Sequence, residues 1–409
     1  SGVGVQLKPP GSPPARWPKF SSPLRSTALT ARLGRILGIC MGICFTTGLL
    51  SHYQYQPWSW LPEPASPVWG YRLTQGLHVT TGIATIPLLL VKLWSVFPKL
   101  FQWPPAKSLL HGLERLSIAL LVSSALVELV TGLFNVLNWY PWPWDFVPVH
   151  RFLAYVLIGS ILLHIAVKLP DIKYGLGTKV AQGDVLTEIP WEQNPHAYSN
   201  NNDTHQPPPV TEGLSRRGLL VATGTGVGLV VATTVGQTVT PLSPIGLLAP
   251  RQYKKGLQRV PVNRTADQAR VTELLDAVRA GDWQLSVNGA KPYTLSLDEI
   301  LAMAPHEAHF PISCVEGWSV GVQWRGVRLL DIVRRAGGTE DSRVKVTSLE
   351  PRGSYNYSFV DGPQVSHALL ATHINGDPLK DDHGYPLRLI APDRAGVLNT
   401  KWLSMVEVL

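Results

Sequence analysis

Five long apolar runs dominate the first 240 residues, at about 33–51, 72–96, 109–137, 149–169 and 218–240. Each is close to the ~20 residues a helix needs to cross a hydrocarbon core, so each is predicted to be a membrane-spanning helix. After about residue 250 the pattern changes. Short β-type runs, WQLSVNG, RVKVTSL, YNYSFV and PLRLIAP, lie between turn signals. Two stretches with helical spacing, DQARVTELLDAVRAG and GVRLLDIVRRAGG, interrupt them. The predicted fold class is therefore multi-domain: an all-α transmembrane four-helix bundle, a fifth membrane span, then an α+β domain.

The boundaries follow from composition. Residues 1–28 hold six prolines, several serines and Lys8, Arg16, Lys19 and Arg25, and are expected to form a disordered cytoplasmic tail. The four-span domain covers 29–170, and a polar linker with a run of asparagines and prolines covers 171–214. The fifth span occupies 215–240 and the soluble domain 241–409. Arg25, Arg32 and Arg35 precede the first span, Lys99 and Lys107 follow the second, and Lys173, Lys179, Arg216 and Arg217 follow the fourth. The alternate loops, 52–70 and 138–148, contain no Lys or Arg but carry Trp58, Trp60, Trp69, Trp139, Trp142 and Trp144. By the positive-inside rule the N-terminus is cytoplasmic, the tryptophans form an outer interfacial belt, and the C-terminal domain is extracytoplasmic. The expected location is the bacterial cell membrane, in contact with lipid.

Composition narrows this picture. Charged residues are 16% of the chain, against roughly 25% in soluble domains. The net charge of +8 lies largely beside the apolar spans, as orientation signals would, so no nucleic-acid partner is expected. Three cysteines provide no disulfide framework. Cys40 and Cys44 lie one helical turn apart in the first span, while Cys314 stands alone in the soluble half. A lone cysteine is either a small buried hydrophobe or a reactive or metal-binding thiolate, and composition leaves both open.

His52, His78, His111, His150 and His164 lie within or at the edges of the first four spans. Ionisable groups in hydrocarbon are costly and usually functional, although a histidine at a helix end also suits the interface. His150 and His164 are fourteen residues apart on one span. At ~100° and ~1.5 Å per residue they return to nearly the same face, about 21 Å apart. One helix thus offers an imidazole near each membrane surface, as two stacked haems require. Depth selects the partners: His78 with His150 for an outer haem, His111 with His164 for an inner one. This half, about 30–170, resembles the cytochrome b subunits of membrane formate dehydrogenases and hydrogenases. The resemblance implies haem b, one or two per chain. That family takes its inner partner from the first span, where this chain reads ARLGRILGIC, so His111 is an inferred substitute.

Ahead of the fifth span the chain reads LSRRGLLVATGTGVGLVVATTVG. Arg216 and Arg217 followed by a weakly apolar segment resemble a twin-arginine export signal, which carries folded cargo; a positive-inside flank is the plainer reading. Gly224 and Gly228 form a small-xxx-small face suited to packing on the bundle.

In the soluble half, HFPISCVEGWSVGVQWRGVRLLDIV and the closing INGDPLKDDHGYPLRLIAPDRAGVLNTKWLSMVEVL together resemble the molybdopterin domain of the sulfite oxidase superfamily. The CVEGWS string lies closer to its methionine-sulfoxide-reductase branch. The resemblance implies that Cys314 ligates molybdenum as a thiolate, a soft donor beside dithiolene sulfurs. It places Glu316 near the metal as acid/base or hydrogen-bond acceptor. By family position the pterin and phosphate of molybdenum-molybdopterin are held by His373, Arg388, Arg394, Asn399, Thr400 and Lys401.

The expected function is a membrane-bound molybdopterin-dependent oxidoreductase. It would couple two-electron, oxygen-atom-transfer chemistry on a small extracytoplasmic substrate to b-type haems and quinone. Two alternatives stand beside it: a quinol-fed reductase of oxidised sulfur compounds such as sulfoxides, and a non-catalytic accessory or electron-relay subunit of a respiratory complex.

Overall fold

In a computed structural model of the chain, the described residues are 22–101 (apart from 59 and 62), 108–181, 214–251 and 260–409. The expected disordered tail, up to residue 21, and most of the expected linker, 182–213, lie outside the described residues. The apolar runs form α1 (Thr27–Tyr55), α2 (Gly70–Val96), α3 (Leu109–Val136), α4 (Phe146–Gly177) and α5 (Arg216–Thr234). All five helices are long and apolar enough to cross a membrane.

Helix ends depart from the predicted ones for local reasons. α1 starts at Thr27, inside the expected tail, because Ser26 accepts from the Leu29 amide and caps it. α4 runs to Gly177, past the apolar stretch and through Pro170, since the helical ladder does not need apolar side chains to continue. α5 stops at Thr234 and passes into 3-10 turns at Val235–Gln237 and Thr240–Ile245, where Pro241 and Pro244 lack the amide protons an α-helix uses.

The contacts of the chain cluster into two compact units, which do not divide at residue 240. The first comprises 1–42, 81–134 and 140–231. Its core joins Leu37, Leu88, Leu89, Ala125 and Leu157, from α1 to α4, with Val227 of α5 packed against them. α1 and α4 approach closely at Gly175, where an added Cβ would meet Ala31 Cβ at 2.7 Å. Arg32 ties the same place together by donating to the carbonyls of Gly175 and Thr178. The expected packing of Gly224 and Gly228 is not found: nothing described lies within 4 Å of a Cβ at either, and Val227 makes the contact instead.

The second unit takes in 43–80, 135–139 and 232–409. It holds the C-terminal half of α1, the start of α2 and the α+β domain, built on two five-stranded sheets. The first sheet uses β1 (Gln284–Asn288), β2 (Tyr293–Ser296), β5 (Val344–Ser348), β6 (Tyr357–Val360) and β10 (Leu403–Val408), in the order β2-β1-β10-β5-β6. Only the β1–β10 pair is parallel. The second sheet uses β3 (His306–Ser313), β4 (Ser319–Arg328), β7 (Leu369–Ile374) and β8 (Asp377–Pro378) in that order, with β9 (Arg388–Ile390) paired to β7.

Short helices complete this unit: α6 (Thr272–Arg279), α7 (Leu297–Ala302), α8 (Leu329–Arg335) and α9 (Pro363–His367). One core packs α6 and α8 against the first sheet through Leu275, Val278, Leu285, Leu329, Ile332 and Val406. A second core, with Ile312, Cys314, Trp318, Val322 and Trp324, lies on the second sheet.

Candidate active site

β3 and β4 form a hairpin whose connection is Cys314–Trp318. The pairing of Ser313 with Ser319, hydroxyl to hydroxyl at 2.6 Å, closes the ladder. The Cys314 amide then donates to Trp318 O at 2.9 Å, and the Gly317 amide to Cys314 O at 3.0 Å. Gly317 sits at φ +89, a left-handed conformation that glycine adopts without strain. The turn therefore holds the cysteine at the sheet edge, 2% exposed, where it lines a cleft.

Pro261, Asn263, Trp318, Asp382, His383, Arg388 and Lys401 line the same cleft. Burial strips water from Arg388 and Lys401 and lowers both, the guanidinium to about 10 and the ammonium to about 7. The Lys401 Nζ donates to the carbonyls of Arg264 and Asp382. Arg388 reaches the His383 carbonyl, yet its buried Nε has no hydrogen-bond partner among the described residues. No described carboxylate forms an ion pair with either side chain. Gly384 brings the two together: a Cβ there would lie 3.1 Å from Lys401 Cβ and 3.2 Å from Arg388 Cβ.

Burial and the neighbouring Glu316 charge both raise the Cys314 thiol well above its usual value. As a thiolate this sulfur needs a cation against it, which a bound metal supplies. A soft sulfur donor beside two cations that no described carboxylate pairs with fits a metal carried by an anionic organic cofactor.

The other residues expected at the site are placed differently. Glu316 accepts from Trp318 Nε1 at 3.1 Å and lies 3.5 Å from Arg251 Nη2. With its nitrogen turned toward Glu316, the Asn138 amide donates to the second carboxylate oxygen at 3.2 Å and accepts from Arg251. Burial still raises the Glu316 carboxyl. Its contacts brace the cysteine loop; it does not line the cleft.

His373 lies on β7 against Thr372 and Pro378, away from the cleft. Asn399 accepts from the Ala391 amide and Thr400 bonds to Ser358, so both tie β9 and β10 to their neighbours. Arg394 is buried, donates to Phe359 O and has Glu63 at 3.9 Å. Of the residues expected to hold the cofactor, the cleft thus gathers Cys314, Arg388 and Lys401. It adds His383, Asp382 and Asn263, which sequence reasoning passed over. The signal for two of them was the KDDHGYP string, which breaks an otherwise regular strand pattern.

Residues 272–409 match the family described as the oxidoreductase molybdopterin binding domain. The uncharacterized oxidoreductase YuiH of Bacillus subtilis (strain 168) is 32% identical over 161 residues, covering 36% of this chain and 78% of that protein. The chain belongs to the molybdopterin-binding oxidoreductase family. The catalytic subunit of protein-methionine-sulfoxide reductase MsrP from Xanthomonas axonopodis pv. citri (strain 306) is 33% identical over 159 residues, 35% of this chain and 49% of that protein. The mitochondrial sulfite oxidase of Drosophila melanogaster is 30% identical over 193 residues, 40% of this chain and 32% of that protein. The chain thus spans about half the length of the MsrP subunits it matches. Family membership makes the C-terminal domain a molybdopterin oxidoreductase domain; the matched residues begin at 272 and do not reach α1–α5.

The histidines of the long apolar helices fall in both units, and each is placed within its own. In the second unit His78 Nδ1 lies 2.8 Å from the Cys44 carbonyl oxygen, and a Cβ on Gly48 would lie 2.9 Å from the same ring. In the first unit His150 Nδ1 lies 3.0 Å from Glu128 Oε2, and a Cβ on Gly132 would lie 3.6 Å from its ring. At His78 the carbonyl acceptor at Nδ1 fixes the tautomer that carries the lone pair on Nε2, the form in which histidine ligates metal. His111 and His164 both lie within electrostatic reach of Glu114, which pairs with Lys168 at 2.6 Å. Arg216 of the twin-arginine pair donates to the carbonyls of Pro23 and Val180.

Proposed function

We propose that the chain is a membrane-bound molybdenum oxidoreductase that reduces an oxidised sulfur compound of the sulfoxide class outside the cell, with electrons from quinol relayed by b-type haem. The observation that carries this reading is the Cys314 sulfur in a cleft with buried Arg388 and half-buried Lys401, two cations with no described carboxylate in ion-pair contact. The likeness to MsrP favours a sulfoxide over sulfite. When bound, the molybdenum cofactor supplies oxygen-atom transfer: a sulfoxide, two electrons and two protons give a sulfide and water.

The protein's own residues hold and orient. Cys314 ligates the metal, Arg388 and Lys401 neutralise the cofactor's anionic groups, and Trp318 walls the cleft. Glu316, braced by Arg251 and Trp318, keeps the cysteine turn rigid. In the helices, His78, His111, His150 and His164 are the haem ligands. The five spans anchor the chain with the C-terminal domain outside, and the arginine pair at Arg216–Arg217 directs the folded domain across the membrane.

The test is the metal and haem content of the purified protein together with sulfoxide-dependent oxidation of its reduced haem. Cys314→Ser is expected to lower turnover on the order of a thousandfold or more with the b-type spectrum retained. His150→Ala is expected to remove one haem with molybdenum retained. Protein free of molybdenum would overturn the enzyme reading in favour of an electron-relay subunit.

A further inference from the structure

Two buried amide side chains from different helices converge on one oxygen. Gln75 of α2 and Asn135 of α3 are 6% and 5% exposed. Gln75 Nε2 donates to the Val315 carbonyl at 3.1 Å, and Asn135 Nδ2 donates to the same oxygen at 2.8 Å. A carbonyl oxygen has two lone pairs, so this acceptor is saturated. Val315 is the residue after the cofactor cysteine. Two further contacts hold the same turn. The Thr238 hydroxyl donates to Gly317 O, and Val79 of α2 packs against Gly317, where a Cβ would come within 2.9 Å of it.

The same stretch of α2 carries His78. Gln75 and His78 are three residues apart and share a helix face. His78 is held in turn by the Cys44 carbonyl. A short covalent and hydrogen-bonded route therefore joins the Cys314 sulfur to the His78 imidazole: Cys314, the Val315 carbonyl, Gln75, then one turn of α2. Nothing along it is a surface loop or a linker. A buried amide that donates to a backbone carbonyl costs side-chain entropy and gives modest net stability, so two of them on one oxygen are a specific geometric device.

We propose that Gln75 and Asn135 are positioning residues that clamp the Cys314 turn onto the helix carrying His78, making this the electron path between the molybdenum site and the haem. The inference rests on the proposed functional reading. Each sulfoxide reduced takes two electrons and two protons and releases one sulfide and one water. Quinol, oxidised to quinone, supplies both, so the path carries two electrons, one at a time.

The experiment compares full-length wild-type protein with Gln75→Met, Asn135→Leu and the double variant. The haem is reduced, dimethyl sulfoxide is added, and haem oxidation is followed by stopped flow. Turnover is measured separately with reduced methyl viologen, a small dye that delivers electrons to the molybdenum site directly. The expected result is haem oxidation slowed by about tenfold or more in the double variant, the scale of loss a small misplacement produces. Molybdenum content, haem spectrum and dye-driven turnover stay at wild-type values. In cofactor-free protein, amide hydrogen exchange over 314–318 is expected to accelerate in the double variant, a readout independent of any loaded centre. Unchanged haem oxidation with unchanged exchange overturns the clamp. Accelerated exchange with unchanged haem oxidation overturns the path. Wild-type haem that dimethyl sulfoxide does not oxidise, in protein holding both metals, overturns the functional reading instead. The Gln75→Met single variant, nearly isosteric, keeps the test decisive if the double variant folds poorly.

Discussion

The Cys314 cleft and the helix pairs of the first unit treat charge in opposite ways. In the cleft Arg388 is buried and Lys401 half-buried, with carbonyls for company and no described carboxylate in ion-pair contact. Among the helices, His150 has Glu128 at 3.0 Å and Lys168 has Glu114 at 2.6 Å. Burying an ion costs several kcal/mol unless another charge answers it. The Lys168–Glu114 pair carries its own answer. The cleft cations have no such ion pair among the described residues, and in the proposed function an anionic cofactor answers them. The same substitution, charged to neutral, should therefore have opposite signs in the two places.

The largest expected effect is in the cleft. Lys401→Met or Arg388→Met should weaken retention of the molybdenum cofactor by about 10–100-fold, the range for outer partners of a metal site. The same variants should raise the thermal stability of cofactor-free protein, since an unanswered buried cation is replaced by an apolar side chain. Metal content after dialysis and melting of the cofactor-free chain read the two separately. A loss of stability in the cofactor-free variants would break the comparison, because it would mean the cations are satisfied already.

The pH dependence has a definite sign. Burial lowers Lys401 from 10.5 to about 7. Between those values the unfolded chain binds the extra proton and the folded chain does not, so the stability of cofactor-free protein rises with pH from about 7 to 10.5. Lys401→Met should flatten that rise. With cofactor bound, the anionic group favours the charged amine and the slope should shrink. Denaturant melts with and without cofactor, across this range, measure it.

Among the helices, Glu128→Gln neutralises the carboxylate that lies 3.0 Å from His150 Nδ1. It should lower haem retention by roughly tenfold and destabilise the fold, the reverse of the cleft variants. An isosteric glutamine keeps an acceptor near His150 Nδ1, so any loss reports the charge rather than the shape. Haem content and melting temperature of the variant decide it. A more stable Glu128→Gln protein would show that the two regions do not differ in kind.

How much of this was legible in the sequence depends on range. The five apolar helices were legible because apolar length is a local property, and α1–α5 fall on the five runs. Their ends were less so, as α4 shows by continuing through Pro170 to Gly177. GVRLLDIV reads as one helix, yet β4 continues through Arg328 before α8 begins, with the β4–β7 register shifting between Arg325 and Gly326. A glycine is required there, since an added Cβ would meet the Leu370 carbonyl.

Within the site, Cys314 was legible from the string around it, whereas its surroundings were not. Arg388 and Lys401 reach the cleft while Thr400, next to Lys401, bonds Ser358 on β6. Thr400 and Lys401 both lie in the irregular stretch between the 3-10 turn at Gly396–Leu398 and β10, where no periodicity says which way a side chain points. The Gln75, Asn135 and Asp393 contacts join residues far apart in the chain, with no local pattern to announce them.

The smallest effect belongs to Asp393, in the same unit as the cleft and an anion answered by dipoles. Its carboxylate accepts from the Tyr71 amide at 2.5 Å and from Gln54 Nε2 at 2.8 Å. It caps the start of α2 from a distant part of the chain, where helix amide groups favour negative charge. Burial nonetheless raises it from 3.8 to about 6. A carboxyl raised on folding binds its proton more tightly in the folded chain, so its contribution falls as pH rises from about 4 to 6. Asp393→Ala should cost about 1 kcal/mol, the usual penalty for losing a helix cap. Asp393→Asn keeps the accepting oxygen and removes the charge, so it should lose less and should lose the pH slope as well. Melts of the two variants at pH 5 and pH 7 separate acceptor from charge. Equal losses for Ala and Asn would mean that charge, and not the cap, makes this contact.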